Sequence, residues 1–173
     1  QMQYMMNHSE YDMVYCSFLK HYSNGGSLVV PNNQIGEREG DMYATLLVNN
    51  VIGTPTVLIR RNVFLECGGF DTELKAIEDW DLAVRVARNS QIGFVSEILV
   101  DAYETQGSIS YDGAAYYKAR CKMLAQNGAY LQEVGLFDDL VINMFNDAEK
   151  RGVLDSVKKI FMLSLKEYYD KEN

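Results

Sequence analysis

Proline is nearly absent from this chain, two residues in 173, and the nitrogen and sulfur metal ligands and nucleophiles are few, two histidines and three cysteines; there is one tryptophan. Each shortage excludes something. Scarce proline together with 47% hydrophobic residues excludes a disordered segment, and a chain of this length can bury one sizeable core. Cys16, Cys67 and Cys121 are odd in number and never spaced C-x-x-C. That excludes a disulfide framework and points to buried free thiols of a reducing compartment. His8 and His21 stand early with no motif around them, so neither a thiol–histidine catalyst nor a zinc centre finds its partners. Basic residues are also in deficit, 16 Lys and Arg against 24 Asp and Glu, for a net charge of −8. This argues against nucleic acid as a partner and against a basic membrane-docking face. No apolar run approaches the length of a membrane span and no signal peptide opens the chain, so the expectation is a cytoplasmic protein without a transmembrane segment.

What is present is concentrated in Gly68-Gly69-Phe70-Asp71 followed by Glu78-Asp79-Trp80-Asp81. Two successive glycines allow backbone angles closed to other residues, and Gly69 can close a tight turn or approach a ligand. Leu82, Ala83, Val84, Val86 and Ala87 continue a helix whose first turn holds Glu78 and Asp79, and Asp81 and Arg85 are spaced for a surface ion pair. Acids in a first turn are favoured by the helix dipole and the unsatisfied amides, so a well-capped helix explains the pattern as well as a site does. Asp79-Trp80-Asp81 spells D-x-D, but residues two apart on a helix point to nearly opposite sides and do not readily share one metal ion.

Around this segment the pattern predicts an α/β chain. Asp12 to Phe18 reads as a strand, Asn24-Gly25-Gly26 as a turn, and Leu28 to Val30 as the hairpin partner. Asp41 caps a helix through Val48, and Thr56 to Ile59 reads as a buried strand followed by Arg60 and Arg61, then by a short helix to Cys67. Gln91 to Tyr103 reads as one or two strands broken near Ser96-Glu97. From Tyr111 onward the periods are helical: one helix carries Tyr116, Ala119, Met123 and Gln126, a second lies between Gly128 and Gly152, and a third places Val153, Val157, Ile160, Phe161, Leu165 and Tyr168 on one face. The reading divides the chain into 1–110, a mixed sheet with flanking helices, and 111–173, a C-terminal helical region packed on it.

The run GGFDTELKAIEDWDLAVR resembles the segment that carries the catalytic base in family 2 glycosyltransferases of the GT-A fold, and the resemblance extends from Gln1 to about Ser110. It implies that Asp79 accepts the proton of an acceptor hydroxyl, with Glu78 beside it and Trp80 roofing it. A neighbouring carboxylate and an indole roof both disfavour the charged form of Asp79, and the helix dipole opposes them. Gly53-Thr54-Pro55 resembles the family's "SPSSVLIRR" segment, which lines the floor near donor and acceptor. The resemblance therefore assigns substrate-binding roles to Thr54, Pro55, Gly68, Gly69, Phe70 and Trp80. Family members open with a strand of the type "VSVIIPTYN" and carry their D-x-D metal motif at a strand end, neither of which occurs here. The chain thus reads as an incomplete GT-A-like sheet, the acceptor-side half of the domain. A divalent metal, Mn²⁺ or Mg²⁺, is expected mainly on the other half and none in this chain. The family's metal-binding histidine ahead of "SIS" is replaced by Thr105 when the chain is aligned on Ser108-Ile109-Ser110.

The partners so implied are a nucleotide-sugar donor and a glycan or lipid-linked acceptor, with the chain acting in the cytoplasm or at the inner face of the membrane, in polysaccharide assembly. A second copy could pair through the sheet edge left open. Twelve tyrosines include Tyr103, Tyr111, Tyr116 and Tyr117, whose rings suit either sugar stacking or helix packing. Two other classes compete with the transferase. One is a non-catalytic module that keeps the fold to bind glycan or protein. The other is a carboxylate hydrolase using Glu78 and Asp79, disfavoured because adjacent carboxyls do not straddle a glycosidic bond.

Overall fold

The computed structural model describes residues 1–32, 34–105 and 113–172, and it is of mixed α/β class. Its contacts divide the chain into two compact units, Gln1–Thr72 with Glu78–Ser108, and Glu73–Ile77 with Ile109–Asn173.

In the first unit the organising element is a long strand, β1 (Tyr11–His21), hydrogen-bonded along both sides. On one side β4 (Gln91–Tyr103) runs parallel to it; on the other β3 (Val57–Ile59) and then β2 (Ser27–Val30) run antiparallel. The hairpin turn sits where Asn24-Gly25-Gly26 predicts it: the Tyr22 amide donates to the Gly26 carbonyl, and Asn24 Oδ1 accepts the Gly26 amide at 2.9 Å. The break expected at Ser96-Glu97 is a bulge within one strand, because Cys16 pairs with Val95 while its neighbour Ser17 pairs with Ile98. Thr56 is not strand. Together with Thr54 and Pro55 it forms a 3-10 turn, and the strand that follows is only half-buried.

Alternation along β1 sends its side chains to two faces. On one, Val14 and Cys16 join Val95 and Met5 of α1 (Met2–Asn7) in an apolar cluster. Met13 and Tyr15, fully buried, point the other way. Two further helices, α2 (Tyr43–Val48) and α4 (Glu78–Ala87), pack against each other, and each buries apolar residues, Leu46 and Leu47 on α2, Ala83 and Val84 on α4. Asp41 opens α2 by accepting the Tyr43 amide at 3.1 Å. Between β3 and α4 lies the short α3 (Arg61–Glu66).

The second unit is helical: α5 (Gly113–Gln126), α6 (Gly128–Glu133), α7 (Phe137–Lys150) and α8 (Leu154–Glu172). The stretch read as one helix between Gly128 and Gly152 is therefore two. At Gly135, φ is +72°, and the Leu136 and Gly135 amides donate back to Leu131 and Gln132, the paired bonds that end a helix on a left-handed glycine. α8 packs on α5 and α7, with Phe161 against the Phe137 and Phe145 rings. Among the described residues no helix is long and apolar enough to cross a membrane.

Candidate active site

The glycine turn is built by the helix before it. The Gly68 and Gly69 amides donate to Leu65 and Phe64, and both glycines have positive φ, +83° and +66°, so the chain leaves α3 through two left-handed residues. Only glycine takes that pair of angles without cost. Phe70 follows, 41% exposed, its ring edge-on to Phe64 at 5.7 Å.

Entry to α4 is also unusual. Ile77, directly before Glu78, has φ +53°, a left-handed conformation that a β-branched side chain resists. Strained residues of this kind persist where the surroundings over-determine them, and such places are often functional. Nothing in the sequence announces it, because isoleucine carries no signal for positive φ.

From this start the acids of α4 diverge. Asp79 Oδ2 accepts two hydrogen bonds from one residue, the Thr54 amide and the Thr54 hydroxyl, each at 3.0 Å, while Asp79 Oδ1 accepts the Trp80 amide at 2.8 Å. Two residues 25 positions apart, each singled out in the sequence for a different reason, are thus joined. Thr54 and Pro55 are exposed, and Glu78 and Asp79 half-buried, so the carboxylate lies where the 3-10 turn meets the N-terminus of α4 at the surface of the first unit.

Trp80 and Asp81 face elsewhere. Trp80 is 5% exposed and its indole N–H donates to the Leu46 carbonyl of α2. It is placed as a core anchor between two helices, since burying the ring requires a partner for its N–H. Asp81 pairs with Arg85 at 2.7 Å, but the pair is not on the surface as the spacing suggests: the Asp81 side chain is only 7% exposed. Arg85 also donates to the Cys67 carbonyl at 2.6 Å. One guanidinium therefore ties α4 to the residue that opens the glycine turn.

Asp79 and Asp81 are held by different partners, and among the described residues no group of three or more His, Cys, Asp or Glu side chains is placed to hold a metal ion. Arg60 is a brace: its Nε donates to the Tyr11 carbonyl at 3.1 Å and lies 3.5 Å from Asp12, and its terminal nitrogen reaches the Met5 carbonyl. Arg61 is exposed at the first position of α3. Glu104 accepts the amide and hydroxyl of Ser23, closing the end of the sheet.

The tyrosines separate. Tyr103 ends β4 with its ring stacked on His21 at 4.5 Å and 70% exposed. Tyr117 is buried in the helical unit with its hydroxyl donating to Asp147, and Tyr116 lies edge-on to it. Tyr111 and the Ser108-Ile109-Ser110 motif lie outside the described residues. Cys16 and Cys121 are buried free thiols and Cys67 a half-buried one, its Sγ against the Phe64 carbonyl.

A scan against protein-family models finds none that matches this chain, and a search of curated proteins finds no similar sequence.

Proposed function

We propose that this chain is the acceptor-side part of an inverting glycosyltransferase that moves a sugar from a nucleotide-sugar donor to a glycan or lipid-linked acceptor, with Asp79 as the general base. The observation that carries the reading is the Asp79 carboxylate, anchored by Thr54 at the mouth of α4 just beyond a strained backbone. In the proposed reaction Asp79 takes the proton of the acceptor hydroxyl as that oxygen attacks the anomeric carbon. The bond from that carbon to the diphosphate breaks, and the nucleoside diphosphate leaves with the bonding pair. Glu78, half-buried beside the base, adds negative charge at the same helix end. Gly68, Gly69 and the exposed edge of Phe70 form the turn that would border the acceptor.

Among the described residues no group of three or more His, Cys, Asp or Glu side chains is placed to hold the divalent ion that the family's diphosphate chemistry implies, and no step is routed through it; in this reading Mn²⁺ or Mg²⁺ would be held mainly by the other half of the domain. The proposed setting is the cytoplasm or the inner face of a membrane, in polysaccharide assembly.

The decisive experiment is Asp79→Asn in the intact enzyme. Nucleotide binding should survive, while transfer should fall by about 100-fold or more, the scale of a lost general base. Near-normal turnover would remove Asp79 from that role. A complementary measurement uses the 173 residues alone: calorimetry with uridine, guanosine and thymidine diphosphates plus Mn²⁺ should show no micromolar binding, because a diphosphate needs a metal or cationic clamp. Tight binding would place the nucleotide site in this chain.

A further inference from the structure

We infer that Thr54 is the positioning residue for the base, and that Asp79 Oδ1 is the atom that takes the proton. The inference rests on the proposed role of Asp79 and adds to it the residue that aims it.

A carboxylate offers about four lone-pair directions, two on each oxygen. Oδ2 receives the Thr54 amide and the Thr54 hydroxyl, both at 3.0 Å, and both of its directions are filled. Oδ1 receives the Trp80 amide at 2.8 Å, leaving one direction open. Only there can an acceptor hydroxyl place its proton. The two Thr54 donors fix the carboxylate plane and hold Oδ2 away from the reaction, while the amide of Trp80, whose own ring is locked to the Leu46 carbonyl, fixes Oδ1 from the helix side. The 3-10 turn that carries Thr54 is itself braced: Thr56 is fully buried and its hydroxyl donates to the Gly53 carbonyl at 2.7 Å. Pro55, next to Thr54, restricts the turn further. The hydroxyl proton of Thr54 is given to Asp79, so any contact of this residue with a sugar must be made through the hydroxyl lone pairs or the methyl group.

The test is a double-mutant cycle in the intact enzyme, read as nucleoside diphosphate released from UDP-, GDP- and dTDP-sugars. Thr54→Val keeps the backbone donor and the shape but removes the hydroxyl. It should lower kcat about tenfold or more with KM little changed, the mark of an interaction acting on the chemical step, and Thr54→Ser should restore most of the loss. In an Asp79→Asn background the same Thr54→Val change should cost nothing further, since a residue acting through Asp79 has no effect once the base is gone. A further multiplicative loss in the double variant, or a rise in KM alone, would assign Thr54 to substrate contact and overturn the inference while leaving Asp79 as base. Full turnover by Asp79→Asn would overturn both. A crystal structure of the 173-residue Thr54→Val chain supplies a readout independent of turnover: the Asp79 carboxylate should rotate from its place beside residue 54, and an unmoved carboxylate would also sink the inference.

Discussion

A methyl group on Gly69 would lie 3.1 Å from the Phe64 ring, closer than ordinary van der Waals contact, while one on Gly68 would meet nothing within 4 Å. Both residues are left-handed, so both resist substitution, but for different sums of reasons. Gly68→Ala pays only the backbone strain. Gly69→Val adds a branched side chain to the same strain and forces the Phe64 ring aside, and with it the edge contact to Phe70. The expected costs are about 1 kcal/mol for Gly68→Ala and about 2 to 3 kcal/mol for Gly69→Val, read from urea unfolding of the chain. Equal midpoints for the two variants would refute the account. The glycines were legible at this scale because a left-handed turn has a residue type of its own. Ile77 was not legible, since isoleucine is not a residue type that signals positive φ. The bond from the Trp80 ring to Leu46 was not legible for a related reason: the motif gives its place beside Asp79 in sequence and says nothing of what α4 packs against.

Elements were legible where one signal governed them. The hairpin was set by Asn24-Gly25-Gly26, and α4 by a continuous apolar period after acids in the first turn. They were misread where a stop was hidden inside a helical period, as at Gly135, or where a turn replaced the start of a strand, as at Thr54–Thr56. The Asp81–Arg85 spacing predicted a pair but not its depth, because burial is set by what α4 packs against rather than by its own sequence. That depth changes the energetics. An exposed pair contributes about 0.5 kcal/mol, whereas removing one partner of a buried pair leaves a desolvated charge. Arg85→Met should therefore destabilise by about 2 to 4 kcal/mol, and it should also free the Cys67 carbonyl and loosen the glycine turn. Restoring neutrality in the double variant Asp81→Asn with Arg85→Met should recover part of that loss. If Arg85→Met costs no more than an exposed pair is worth, α4 and the turn are not coupled through this guanidinium.

At the scale of the whole molecule, both units bury groups that must keep their protons. In the first unit burial raises the Tyr15 hydroxyl above its ordinary value, and burial reinforced by a hydrogen bond to Glu39 lifts Tyr4 from 10.0 to about 12. In the second, burial pushes the Cys121 thiol from 9.0 up to about 12, and burial with the hydrogen bond to Asp147 takes Tyr117 to about 12. For each group the folded form holds its proton more tightly than the unfolded chain does. The stability they contribute is therefore complete below about pH 9 and is lost as pH rises toward 12. On the acid side Asp147 works in reverse: the Tyr117 hydroxyl and then Arg151 hold it below its ordinary 3.8, so its contribution is present above that value and disappears as pH falls beneath it. Urea midpoints should be level from about pH 5 to about pH 8 and fall steeply beyond about pH 9. Net charge of −8 also grows more negative in alkali and would destabilise any compact acidic protein, so the slope alone does not identify the cause. Tyr117→Phe separates the two: it keeps the ring and removes the titrating hydroxyl. It also removes a hydrogen bond, which lowers stability at neutral pH by about 1 kcal/mol, but its alkaline fall should be shallower than that of the parent chain. Parallel falls in the two proteins would assign the alkaline loss to general charge repulsion.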